Sequence, residues 1–122
     1  LSWGAKQAYD LGLGHSDLFS YVGGFSGIIV IGEFNLSKPG FKDPERLAGA
    51  YNGVFSNPDT FNSEYHLLFI GTGEAEGGLL REMHEILADI GVKSTYYVSQ
   101  KTAHEWLTWR RSLYVFAQNL FK

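Results

Sequence analysis

Tyr65-His66-Leu67-Leu68-Phe69-Ile70-Gly71, followed by the periodic run Gly77-Gly78-Leu79-Leu80-Arg81-Glu82-Met83-His84-Glu85-Ile86-Leu87-Ala88-Asp89-Ile90, decides the fold. Apart from His66 the first segment is continuously apolar, the pattern of a strand buried on both faces of a parallel sheet. The second places Leu79, Leu80, Met83, Ile86, Leu87 and Ile90 on one helical face, and Gly91 stands where a helix C-terminus favours a left-handed residue. Ser94-Thr95-Tyr96-Tyr97-Val98 reads as the next strand, rich in β-branched and aromatic residues. Residues 103–120 read as a last helix, with Trp106, Trp109, Leu113, Phe116 and Leu120 recurring at spacings of three and four. Strand, helix, strand, helix predicts βαβ architecture with a parallel sheet and flanking helices.

Upstream, residues 4–13 read as a helix with Ala5, Ala8, Tyr9 and Leu13 on one face, ended by Gly12 and Gly14. Tyr21 to Phe25 reads as a short buried strand, and Gly23 and Gly24 predict the close approach of another backbone. The longest apolar run, Ile28-Ile29-Val30-Ile31, is strand-like and bounded by Gly27 and Gly32. Residues 32–64 lack long periodicity. Asp43 as N-cap and Pro44 at the first helical position predict one short helix there, over Glu45-Arg46-Leu47-Ala48. Three doubly apolar strands call for more sheet beside them. The expectation is therefore that residues 1–122 are the C-terminal part of a single α/β domain carrying an insertion over 33–64. On that expectation the N-terminal part is absent, and the chain forms no stable active monomer without that half or another copy of itself.

Composition narrows the classes of function. The chain has 122 residues, 44% apolar and 16% aromatic, enough for one domain with a real core. Net charge is −3 without a Lys/Arg run, which argues against nucleic acid as a partner. With no cysteine, neither disulfides nor thiolate metal sites are possible. No histidine pair has metal-ligand spacing, so no metal is expected. A flavodoxin-like binding domain would need a glycine-rich phosphate loop after a strand; none is present, and no cofactor is expected. No apolar run approaches 18 residues, so no transmembrane helix or membrane partner is expected.

Three polar positions fall at strand-to-helix junctions. Ser2-Trp3-Gly4-Ala5 immediately precedes helix 4–13 and matches the second half of a Gly-x-Ser-x-Gly nucleophile elbow, although Ser2 also reads as a plain N-cap. Gly73-Glu74-Ala75-Glu76 lies just past the end of strand 65–71, on the edge where open α/β sheets place their sites. Glu76 is the preferred acid and Glu74 the second; both also suit the N-terminus of helix 77–90 as solvated acids. His104 follows strand 94–98 within Thr102-Ala103-His104-Glu105-Trp106-Leu107, where Thr102 and Glu105 predict a capping box with His104 held at the helix start. His15, His66 and His84 are weaker candidates. Nucleophile, acid, histidine is the chain order of one class of serine hydrolases.

These blocks resemble the esterase D-like branch of the α/β-hydrolases, which includes the feruloyl and acetylxylan esterases of carbohydrate esterase family one and the enterochelin-type esterases. The resemblance rests on Leu-Ser-Trp-Gly at 1–4, His-Ser-Asp-Leu-Phe-Ser-Tyr-Val-Gly-Gly-Phe-Ser-Gly at 15–27, Leu-Phe-Ile-Gly-Thr-Gly at 68–73 and Thr-Ala-His-Glu-Trp-Leu-Thr-Trp-Arg-Arg-Ser-Leu at 102–113. It covers nearly the whole chain, weakest over 32–64, and only the C-terminal half of the family's domain. It implies the C-terminal half of an α/β-hydrolase fold, with Ser2 as nucleophile, His104 as base and the acid in the loop after strand 65–71. The Trp3 amide would form half of the oxyanion hole. The family usually has Met where Trp3 stands, a second Gly where Ala5 stands, and Asp as the acid where this loop offers glutamates.

The resemblance further implies a serine carboxylic-ester hydrolase acting on acetyl or feruloyl esters of plant cell-wall polysaccharide. Its partner would be an ester-bearing carbohydrate or small-molecule ester, and its place secreted or periplasmic. Trp106 and Phe34 are the expected substrate-binding residues. Phe34, Phe41, Tyr51, Phe55 and Phe61 would form an aromatic wall, and Trp109 would pack in the core. The competing expectation is a non-catalytic fragment or pseudo-enzyme serving as a structural or carbohydrate-binding half.

Overall fold

A computed structural model describes residues 1–122. Three parallel strands, β1 (Tyr21–Phe25), β2 (Leu67–Gly73) and β3 (Thr95–Ser99), form one sheet in the order β1-β2-β3. Helices α1 (Trp3–Leu13), α2 (Pro44–Gly53), α3 (Pro58–Glu64), α4 (Leu79–Asp89) and α5 (Trp106–Gln118) surround it. The protein is a mixed α/β structure with a parallel sheet flanked by helices, as the sequence predicts. In register, Gly23 pairs with Phe69, and Gly71 with Tyr97. Every residue of β2 is buried, as its continuous apolar pattern requires of a central strand.

The two sheet faces differ. Leu68 and Ile70 join Ala5, Tyr9, Met83 and Leu87 in one core beneath α1, α4 and the 26–66 segment. Phe69, on the other face, meets the Phe116 ring of α5 at 5.5 Å. The glycines of β1 are approached by rings rather than by backbone: a Cβ on Gly23 would stand 2.7 Å from the Phe116 ring, and one on Gly24 would collide with Tyr9. The expectation of a second backbone at these glycines is corrected accordingly.

Other boundaries also move. Residues 28–31 form no strand; Ile28 and Ile29 are buried, and the Ile29 amide donates to Met83 Sδ at 3.3 Å. Asp43 caps α2 as expected, accepting from the Glu45 and Arg46 amides. Helical dihedrals stop at Ala50, and Tyr51 and Asn52 turn left-handed. Asn57-Pro58 repeats the Asp43-Pro44 signal and starts α3, a second helix where the sequence predicts one. The last helix begins at Trp106, not 103. Glu105 is extended (φ −156°, ψ 165°) and its carboxylate bends back to the Ala103 amide at 2.9 Å. Thr102 spends its hydroxyl on the Ser99 carbonyl at 2.9 Å, so no capping box forms.

Candidate active site

Ser2, Glu76 and His104 converge at the carboxyl end of the sheet. Ser2 caps α1 by position, yet its side chain makes no capping bond. Its backbone sits at φ 53°, ψ −122°, a left-handed conformation that a β-substituted residue adopts only when the surroundings impose it. The Ser2 amide donates to the Phe25 carbonyl at 2.7 Å, which anchors the turn to the end of β1. This arrangement exposes Oγ toward His104 Nε2, 3.1 Å away. The plain N-cap reading of Ser2 does not hold. The adjacent Trp3 amide, first in α1, donates to no group among residues 1–122.

After β2 the chain makes a 3-10 turn over Glu74–Glu76. The turn folds the Glu76 carboxylate back onto the strand end. There Oε2 accepts from the Gly73 amide at 2.7 Å, Ser26 Oγ at 2.7 Å and Thr72 Oγ1 at 3.2 Å. Oε1 stands 2.6 Å from His104 Nδ1. Burial pushes the Glu76 carboxyl up, but the hydrogen bonds from Ser26, Gly73 and His104 and the attraction of the imidazole outweigh it, holding the group below the ordinary glutamate value. Glu74 points elsewhere: its Oε2 accepts from the Lys101 amide at 2.7 Å. With Ala75 N donating to the Thr102 carbonyl at 2.9 Å, this ties the acid turn to the loop that carries His104. His104 itself lies in that loop, two residues before α5, rather than inside the helix.

A cavity of about 260 Å³ opens over these groups, lined by Ser2, Trp3, Phe34, Glu76 and His104 together with Lys6, Ile28, Val30, Leu36, Leu79 and Leu80. The Trp3 and Phe34 rings stand 4.8 Å apart at its rim. Trp106 is not among its residues. It is 75% exposed and lines a separate apolar cavity of about 580 Å³ with Leu1, Phe25, Trp109 and Leu113. That larger cavity holds Arg110 as its one charged side chain and no side chain able to act as nucleophile or base. The smaller one is therefore the candidate site. The expected aromatic wall reduces to Phe34: Phe41, Phe55 and Phe61 are buried in the core, and Tyr51 turns its hydroxyl to Asp10. No three His, Asp or Glu side chains stand together as a metal site requires.

Sequence reasoning missed Ser26 and Trp109. Ser26 follows directly after β1 at φ 55° and donates to Glu76; Trp109, expected in the core, donates its indole N–H to Ser26 Oγ at 2.9 Å. The available signal was the serine in Gly24-Phe25-Ser26-Gly27, a polar residue closing a strand at the same sheet edge as Ser2 and Glu76.

No family model matches the chain. A stretch of 57 residues, 45% of the chain, is 46% identical to an "Endo-1,4-beta-xylanase/feruloyl esterase" of Xylanibacter ruminicola. Part of this chain resembles a xylanase/feruloyl esterase. The match spans only 8% of that protein's length, so the likeness concerns a segment of a much longer polypeptide.

Proposed function

We propose that this chain carries the catalytic machinery of a serine carboxylic-ester hydrolase acting on acetyl or feruloyl esters of plant cell-wall polysaccharide. The observation that carries the reading is the contact series Ser2 Oγ, His104 Nε2, His104 Nδ1, Glu76 Oε1 at 3.1 and 2.6 Å, with Ser2 in a strained turn before a helix. Nucleophile, base and orienting acid need these contacts in this order. The likeness to a xylanase/feruloyl esterase supports the substrate class. In this reading residues 1–122 are the C-terminal part of one α/β-hydrolase domain, and the second oxyanion donor comes from a segment before residue 1.

The chemistry runs in two halves. Ser2 Oγ attacks the ester carbonyl carbon while its proton passes to His104 Nε2. Glu76 holds the Nδ1–H and stabilises the imidazolium that forms. The negative oxygen of the tetrahedral adduct lies toward the unpartnered Trp3 amide at the positive end of α1. The adduct collapses, the carbon–oxygen bond to the alcohol breaks, and His104 returns its proton to the leaving alkoxide. Water gives a proton to His104 and attacks the acyl-Ser2 carbonyl; the bond from that carbon to Ser2 Oγ then breaks, His104 returns the proton to Ser2 Oγ, and the carboxylic acid leaves. Trp3 and Phe34 supply the apolar rim against which an acyl group packs. In the intact protein, Ser2→Ala and His104→Ala are expected to cut turnover of methyl ferulate and p-nitrophenyl acetate by roughly 10³-fold or more. Near-wild-type turnover by either variant would sink the reading.

A further inference from the structure

We infer that Ser26 and Trp109 are positioning residues that act on the reaction through Glu76, an assignment that rests on the hydrolase reading above. An indole N–H only donates and a carboxylate only accepts. With Trp109 Nε1 donating to Ser26 Oγ at 2.9 Å, that oxygen is an acceptor on one side. Its single hydrogen is then directed to Glu76 Oε2, 2.7 Å away. The polarity of the series is thus set from its outer end: Trp109 to Ser26 to Glu76. Oε2 is taken up by Ser26 and the Gly73 amide, with the Thr72 hydroxyl shared between it and the Gly73 carbonyl, which leaves Oε1 as the oxygen that faces His104 Nδ1. Nδ1 therefore carries a hydrogen, and in the neutral imidazole Nε2 keeps the lone pair that faces Ser2.

Two further observations concern the same pair. The Trp109 ring stands edge-on to the His104 ring, with centroids 5.1 Å apart at 89°, so Trp109→Phe keeps an aromatic ring beside the base and removes only the N–H that reaches Ser26. Ser26 is 8% exposed and held at φ 55°, with its amide donating to the Gly71 carbonyl at 2.8 Å. Glycine would fit that backbone with less strain. A serine there makes sense through its hydroxyl, which the backbone aims between Trp109 and Glu76.

The test is a set of double-mutant cycles in the intact protein, read as kcat and KM on p-nitrophenyl acetate. Ser26→Ala is expected to lower kcat by roughly 10–100-fold and Trp109→Phe by roughly 3–10-fold, each with KM within about threefold. Ser26→Gly relieves the backbone but lacks the hydroxyl, and is expected to be as slow as Ser26→Ala. In a Glu76→Ala background, Ser26→Ala and Trp109→Phe should each cost less than about twofold further, because the group they position is gone. Thermal melting checks that each variant folds, and Ser26→Ala carries the test alone if Trp109→Phe does not. Full activity of Ser26→Ala would overturn the inference, as would losses that persist undiminished on top of Glu76→Ala. A crippled Glu76→Ala beside fully active Ser26→Ala and Trp109→Phe overturns this inference and leaves the hydrolase reading standing. Near-wild-type turnover by Glu76→Ala removes both.

Discussion

Helices α4 and α5 both carry an apolar stripe at spacings of three and four, yet they use it in opposite ways. In α4 the stripe is the buried face: Leu80, Met83 and Leu87 sink into the core beside Ile29, Leu68 and Ile70. In α5 the fully buried residues are Thr108 and Ser112, while Trp106 is 75% and Leu113 55% exposed. The cause lies in what each helix meets. A Cβ on Gly71 would stand 2.7 Å from Ser112 Oγ, and one on Gly73 2.9 Å from Thr108 Oγ1. Helix α5 thus rides close on the glycines of β2, and only small residues fit between them. One side of the sheet is organised for burial. The other carries the loop, the indole and the small polar residues that surround His104.

If that division is right, substitutions on the two sides have separable effects: turnover on one, stability on the other. The largest effect is expected at the acid turn. Glu76→Ala should reduce kcat by roughly 10³–10⁴-fold, whereas Glu74→Ala, which only loosens the Lys101 amide, should cost less than about tenfold. The reverse order would show that the turn presents the other carboxylate to His104. Glu76 also predicts a pH dependence. Its carboxyl is held low in the folded protein, so it stabilises the fold above the unfolded glutamate value of about 4.3, and that contribution fades as pH falls through the lower folded value. The melting-temperature gap between the wild type and Glu76→Gln should therefore be open at pH 7 and narrow as the pH falls below about 4.3.

On the burial side, Leu87→Ala should cost about 2–5 kcal/mol in denaturant unfolding, with kcat per folded molecule unchanged. An equal loss of kcat would mean that α4 and the site are coupled. The smallest expected effect sharpens the account of α5. The Ser112 hydroxyl is buried without a hydrogen-bond partner. Ser112→Ala keeps the small volume against Gly71 and removes that unsatisfied group, so it should leave stability unchanged or raise it by about 1 kcal/mol.

The same contrast governs what the sequence made legible. Strand β2 and helix α4 bury their apolar residues on the side that periodicity indicates, so pattern and structure agree there. Leu79 and Ile86 pack half-buried against the core, and Ile90, 36% exposed at the helix end, falls outside it. Helix α5 breaks the rule because its packing is fixed by glycines on another element, 35 or more residues away in sequence. Its start was misread because Thr102 and Glu105 have the composition of a capping box but spend their polar atoms on Ser99 and Ala103. Ile28 to Ile31 has the residues of a strand but passes beside Met83, outside the sheet. At the site, Ser2, Glu76 and His104 were legible because each follows or precedes a recognisable element at one sheet edge. Ser26 and Trp109 were not, since their partnership spans 83 positions and a tryptophan on an apolar helical stripe gives no sign of its indole hydrogen bond.

The central claim is that Ser2 is an activated nucleophile, and covalent labelling of the intact protein with a fluorophosphonate, followed by peptide mapping, tests it most directly. The account predicts a single stoichiometric adduct on the peptide containing Ser2. It also predicts parallel loss of ester turnover, and no adduct in His104→Ala over the same exposure. Ester turnover that survives labelling, or an adduct on a serine other than Ser2, would contradict it.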